Sequence, residues 1–165
     1  MGENMNTVKR TKPSDWKSIK CDIVRIEKTC FERGVRQPKE ELKEIFKDDD
    51  SLTYIAKKDD NLVGYLSAAP LEECDYVEDY SPKCNSSIYV ESIAILPNFQ
   101  GNGLGDGLME MFMADSKKEG YSRITLHATS EGMLRLAEKK GFKKLKFEEE
   151  WVGERDGWYM EKVLD

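Results

Sequence analysis

No apolar run in this chain approaches the roughly 20 residues needed to cross a bilayer, and its first twenty residues are polar and mixed in charge. Neither a spanning helix nor a leader is expected, and the chain reads as a soluble cytoplasmic protein. It also lacks a basic excess. Its 26 Lys and Arg are outweighed by 32 Asp and Glu, a net charge of −6. With no basic stripe, this argues against broad binding to nucleic acid or an anionic membrane and favours a cationic partner. Cys21, Cys30, Cys74 and Cys84 form no C-x-x-C pair and have no histidine at zinc spacing, so reduced thiols and no metal site are expected. Internal repeats and low-complexity linkers are absent too. The 165 residues therefore suggest one domain over 1–165, large enough for a proper core.

What the chain does have is a glycine-rich segment, Gln100-Gly101-Asn102-Gly103-Leu104-Gly105, between an apolar run ending at Leu96 and an amphipathic stretch beginning near Gly105. This spacing puts backbone N–H groups at a helix N-terminus, where unpaired donors and the helix dipole favour an anion. Glycine lets the backbone approach closely and adopt positive φ. A triphosphate loop would need Lys-Ser/Thr after Gly105, but Asp106 and Gly107 follow; a dinucleotide fingerprint would need glycine where Asp106 stands.

A short strand is expected at 7–10. Ser14 is then placed to cap a helix carrying Trp16, Ile19, Ile23, Ile26 and Cys30 at helical spacing, with Gly34 as its stop. Pro38 opens a second helix through Leu42, Ile45 and Phe46, ending in Asp48-Asp49-Asp50. Residues 52–56 and 62–68 flank a polar stretch in the manner of a β-hairpin, and 70–87 form an acidic loop. Residues 88–96 read as a central strand, apolar on both faces except at Glu91. A helix from Gly105 to Lys118, a strand at 123–128 and a helix capped by Thr129 or Ser130 and closed by Gly141 come next. Strands at 142–152 and 158–164 complete the chain, joined through 153–157 as a hairpin. The order is strand, two helices, three strands, helix, strand, helix, two strands.

That order, with Ile93-Ala-Ile-Leu-Pro-Asn-Phe-Gln-Gly-Asn-Gly-Leu-Gly105 and the later Gly141-Phe142, resembles the GNAT superfamily of N-acetyltransferases. The resemblance covers nearly the whole chain, most strongly from 88 to 164. It implies an α/β (α+β) fold with a mixed central sheet of about six to seven strands flanked by about four helices. It also implies acetyl-CoA as co-substrate. The backbone of Ile93, Ala94, Ile95 and Leu96 would pair with its pantetheine arm, and Gln100, Gly101, Asn102, Gly103, Leu104 and Gly105 would hold its pyrophosphate. The acceptor would be a primary amine of a small molecule or a peptide, in a monomer or a homodimer.

Glu91 interrupts an apolar strand on the face shared with Tyr89 and Ile93. Partial burial would raise its pKa and suit it to general-base work, typically worth about 10²- to 10⁴-fold. The alternative is a carboxylate satisfied by a neighbouring hydroxyl or cation. By resemblance this strand often carries a catalytic or water-holding Glu. His127 is the only histidine, of a type suited to proton transfer; the position it occupies by resemblance holds a catalytic Glu in enzymes that acetylate protein N-termini, and its other reading is structural. Many members carry a tyrosine that protonates the departing thiolate, but this chain has Ala137 there. Tyr159 is a candidate replacement, with Tyr121 and Tyr89 behind it. Where the family commonly has Asn, this chain has Ser130, able to cap the helix and bond the pantetheine. The acidic stretch Glu72, Glu73, Asp75, Glu78 and Asp79 reads as a solvated face or as an attractor of cations, and Glu148-Glu149-Glu150 likewise. Trp151 and Trp158 read as core or hairpin cover rather than as a ligand cage. The missing tyrosine keeps a second function open: a non-catalytic CoA-binding sensor with the same fold.

Overall fold

A computed structural model describes residues 5–80 and 86–165; Cys84 and the middle of the expected acidic loop lie outside them. Eleven main elements follow in chain order: β1 (Asn6–Arg10), α1 (Trp16–Cys30), α2 (Lys39–Lys47), β2 (Leu52–Lys58), β3 (Asn61–Pro70), β4 (Ser87–Ile95), α3 (Leu104–Lys118), β5 (Arg123–Ala128), α4 (Glu131–Lys139), β6 (Lys143–Val152) and β7 (Arg155–Val163). The strands form a seven-stranded mixed sheet in the order β1-β2-β3-β4-β5-β7-β6. Element order and fold class match the sequence expectation.

The chain divides into two compact units, Met1–Ala68 with Ser92–Phe112 and Ala69–Glu91 with Met113–Asp165. In the first, Trp16, Ile19, Ile23 and Ile26 recur at helical spacing along α1 and pack with Leu42, Phe46, Ile55, Leu62, Tyr65 and Ala94. Trp16 and Tyr65 both lie against Phe46, at centroid distances of 5.6 and 5.8 Å. Two expected helix limits shift. Pro13 starts a 3-10 turn ahead of α1, so the Asp15 carboxylate accepts from the Lys12 N–H at 2.8 Å and Ser14 caps nothing. Phe31 turns extended at φ −125°, ψ 141°, ending α1 at Cys30, before Gly34 is reached. The β2–β3 hairpin turns on Asp59 and Asp60, whose φ angles of 49° and 70° give the primed-turn twist that matches antiparallel strands. Its strands therefore run further into the polar stretch than hydrophobicity indicates. Gly64 on β3 is demanded by close approach: a Cβ there would lie 2.4 Å from Ile95 Cδ1 and 2.8 Å from the Ala94 carbonyl oxygen.

In the second unit β5 is the axis. It pairs parallel with β4 from Ser87↔Arg123 to Val90↔Leu126, and antiparallel with β7 from Arg123↔Val163 to Ala128↔Trp158. Ser130 caps α4, its Oγ accepting from the Met133 N–H at 3.2 Å, and Gly141 at φ 91° closes it. β7 begins at Arg155 rather than near Trp158, because the β6–β7 hairpin tightens around Gly153 and absorbs an irregularity at Glu150, φ 48°. Cys74 is buried, Cys30 half-buried and Cys21 exposed, all free thiols. No helix among the described residues is long and apolar enough to cross a membrane.

Candidate active site

The glycine-rich segment is built in the first unit. After β4 the chain makes a 3-10 turn over Pro97–Phe99, and the Gln100 side-chain amide donates back to the Ile95 carbonyl at 3.0 Å. Gln100 thus closes the loop with its own amide. Asn102 donates to the Phe99 carbonyl at 3.3 Å, and Asn6 donates to the Asn102 carbonyl at 3.0 Å. Gly101 and Gly103 adopt φ of 80° and 82°, with nothing within 4 Å of a Cβ built on either. Glycine is needed there for backbone conformation, since space is ample. The first intrahelical bond runs from the Gly107 N–H to the Gly103 carbonyl at 3.0 Å, so the N–H groups of Leu104, Gly105 and Asp106 lie ahead of it at the positive end of α3. This donor set fits a polyanion. Ala94 is buried, Ile93 and Ile95 are half-buried, and the Ile95 carbonyl also accepts from the Cys30 thiol at 3.4 Å.

The other candidates cluster in the second unit, where the parallel ladder ends. Val90↔Leu126 is its last pair, so Glu91 and His127 are the first residues beyond it on β4 and β5. Glu91 is half-buried, and its Oε2 accepts from the Tyr76 hydroxyl at 3.0 Å. Tyr76 is 58% exposed overall, and desolvation at its hydroxyl end, together with the Glu91 carboxylate, pushes the phenol above its ordinary range.

His127 is enclosed. Its ring stacks on Trp151 at 3.6 Å and 9°, its side chain is 2% exposed, and burial pushes its pKa down to about 3. Its Nε2 lies 3.1 Å from a Glu148 carboxylate oxygen and its Nδ1 2.8 Å from the Tyr89 hydroxyl. A carboxylate only accepts, so Nε2 carries the proton and Tyr89 donates to Nδ1. Both ring nitrogens of the neutral imidazole are therefore engaged.

Tyr159 is fully buried, and its hydroxyl donates to Asp79 Oδ1 at 3.1 Å. Burial, chiefly, pushes its pKa well up. Asp79 also takes two bonds from the buried Arg123 guanidinium, which donates in addition to Glu161 at 3.0 Å and Ser87 Oγ at 2.9 Å. Ala137 is fully buried, and its carbonyl accepts from the Phe142 N–H at 3.0 Å. The structure thus brings Glu91, His127 and Tyr159 into one unit along with Tyr76, Tyr89, Glu148 and Trp151. Tyr76 had no separate signal in the sequence, because a tyrosine inside an acidic loop reads as solvated surface. Glu148 and Trp151 were visible only as part of a charge run and as core or hairpin cover. Among the described residues no cluster of His, Cys, Asp and Glu is placed to hold a metal.

Residues 21–142 match the model of the acetyltransferase (GNAT) family, and the chain belongs to that family of acetyltransferases. No curated protein matches it in sequence. Among solved structures it is similar to the ribosomal-protein-S18-alanine N-acetyltransferase from Escherichia coli, with TM-score 0.75 and 16% identity over 98% of this chain and 95% of that one. It is also similar to Arabidopsis thaliana NAA60 in complex with acetyl-CoA, with TM-score 0.73 and 14% identity over 97% and 99% of the two chains. A chain of the NatC complex bound to Gag peptide and CoA aligns with TM-score 0.79 and 15% identity over 97% and 99%. At these identities the likeness is one of fold.

Proposed function

We propose that the chain is a single cytoplasmic catalytic domain that moves the acetyl group of acetyl-CoA to a primary amine, of a small molecule or a peptide, by direct attack on the thioester. The observation that carries this reading is the place of Glu91, a half-buried carboxylate at the first position past the β4–β5 ladder and two residues before Ile93 on the same strand. Acetyl-CoA supplies an activated acyl group with a thiolate leaving group. The Leu104–Asp106 amides, Gly101 and Gly103 hold its pyrophosphate; Gln100 and Asn102 shape that loop by closing it. The backbone of Ile93, Ala94 and Ile95 lines the pantetheine, and Ser130 acts there mainly as the cap of α4.

Glu91 removes the proton of the attacking amine, and the Tyr76 hydroxyl, by donating to it, holds it ionised. Of the expected proton carriers, His127 and Tyr159 have their hydrogens committed to Glu148 and Asp79, which fits a positioning role for both. Glu91, with Glu78 and Glu148 in the same unit, favours a cationic acceptor over a neutral one. The direct test measures acetyl-CoA consumption over a panel of amines and peptides: Glu91→Gln should lower kcat about 10²- to 10⁴-fold with little change in acetyl-CoA binding. Turnover equal to wild type would overturn the base assignment.

A second reading has one specific observation in its favour: Ala137 is fully buried and offers no hydroxyl for the leaving thiolate. On that reading the chain is a CoA-binding sensor. Calorimetry showing tight acetyl-CoA binding, with no transfer to any amine in the panel, would select it.

A further inference from the structure

The segment joining β3 to β4 carries Tyr76 to Glu91, and apolar packing together with a polar clamp fixes where it lies. Between Pro70 and Tyr80 it is shaped locally by a 3-10 turn at Leu71–Glu73, by the Cys74 N–H donating to the Leu71 carbonyl at 2.9 Å, and by the Val77 N–H donating to the Cys74 carbonyl at 3.0 Å. Leu71, Cys74 and Val77 pack the segment against Tyr89 and Tyr159, and the Tyr76 ring meets those of Tyr89 and Trp151 at 6.1 and 6.3 Å. Asp79 adds a polar anchor to that packing. Its carboxylate takes two bonds from Arg123, a side chain 1% exposed on β5, and one from the Tyr159 hydroxyl on β7, while the Tyr80 ring packs on Tyr159 at 5.8 Å.

Arg123 is itself held by its neighbours. It also donates to Ser87 on β4 and Glu161 on β7, and Lys143 on β6 lies 3.6 Å from the second oxygen of Glu161. A planar guanidinium gripping a carboxylate at two points fixes orientation as well as distance. Three residues before Asp79, the Tyr76 hydroxyl meets Glu91 at 3.0 Å.

We propose that Asp79, clamped by Arg123 and Tyr159, is a positioning residue that seats the β3–β4 segment so that Tyr76 donates to Glu91. The proposal rests on Glu91 as the general base, and it gives the buried Tyr159 its task. The groups facing Glu91 include Tyr76 and Cys74 from the segment itself and Tyr89 from β4; Arg123 and Tyr159 face Asp79 from the sheet. Without the clamp the segment keeps its turns and its apolar packing but loses its polar anchor, and Tyr76 is held less closely to Glu91. Glu91 then loses a hydrogen bond that favours its ionised form, and its titration moves to higher pH.

The test compares Asp79→Asn, the milder Tyr159→Phe, Tyr76→Phe and the double variant Asp79→Asn/Tyr76→Phe. Hydrogen exchange at Cys74 and Val77 should speed up in the first two, a readout independent of chemistry. kcat should fall about 10- to 100-fold in Asp79→Asn and less in Tyr159→Phe, with the KM for acetyl-CoA unchanged and the acid limb of the rate profile moved to higher pH. In the Tyr76→Phe background Asp79→Asn should cost nothing further, as expected of residues acting through one contact. If Asp79→Asn fails to fold, Tyr159→Phe carries the same measurements. Unaltered exchange, an unmoved acid limb, or additive losses in the double variant would overturn the proposal. Should Glu91→Gln keep full activity, the base assignment fails, while faster exchange in Asp79→Asn still supports the clamp.

Discussion

His127 should stay neutral far below the pH at which histidine ordinarily charges, and the protein should lose stability in acid for that reason. Two effects compete at the ring. The Glu148 carboxylate, 3.1 Å from Nε2, favours the imidazolium; enclosure against Trp151, with the side chain 2% exposed, opposes it. Burial wins and places the pKa at about 3, below the ordinary 6.5. A folded-state pKa below the unfolded one means that the unfolded chain binds the proton more readily, so this stability is complete above about pH 6.5 and drains away as pH falls toward 3. Each pH unit inside that window costs a little over 1 kcal/mol, so moving from pH 7 to 4.5 should remove about 2–3 kcal/mol. Against a total of roughly 5–15 kcal/mol that is a substantial fraction.

The assay is urea unfolding from pH 7.5 to 4.5 on wild type and His127→Asn, whose amide keeps an acceptor toward Tyr89 and carries no titrating proton. The difference between the two curves isolates the histidine from the many carboxylates they share. Because the chain has one histidine, its ring proton signal in an NMR titration is unambiguous. That signal should stay still through pH 5. A midpoint at or above 6.5, or wild type gaining stability on the variant as pH falls, would show that the ion pair with Glu148 outweighs burial and would refute the reasoning.

Two further outcomes follow from local geometry. Gly64→Ala forces a Cβ to 2.8 Å from the Ala94 carbonyl oxygen and 2.4 Å from Ile95 Cδ1, and should destabilise by about 1–3 kcal/mol or more by chemical denaturation. Ser130→Ala removes the side-chain acceptor for the Met133 N–H and should cost about 1 kcal/mol, with acetyl-CoA affinity largely kept if the cap is its main role.

Much of the fold was legible because burial follows period. Trp16, Ile19, Ile23 and Ile26 announce one face of a helix, and the strand at Arg123–Ala128 was bounded correctly by its apolar run and the cap that follows. The limits that shifted were those set by backbone geometry. Pro13 claims the first turn before Ser14 has a chance to cap, and Asp59-Asp60 makes a tighter turn than a polar five-residue stretch suggests. The donor loop was legible because left-handed glycines ahead of a helix leave few alternatives. The partners of Glu91, His127 and Arg123 were not. Tyr76, Glu148 and Asp79 reach their contacts across sequence separations of 15, 21 and 44 residues. In the sequence each is indistinguishable from a solvated acidic or aromatic surface residue.

The amide of Gln100 resting on the Ile95 carbonyl bears on how quickly the donor is taken up. A loop already braced by its own side chain has little freedom left to surrender when a ligand arrives, because that entropy was lost when the chain folded. Association should then approach the rate of unhindered encounter, and the residence time of the donor, more than its arrival, should distinguish a tight-binding variant from a weak one.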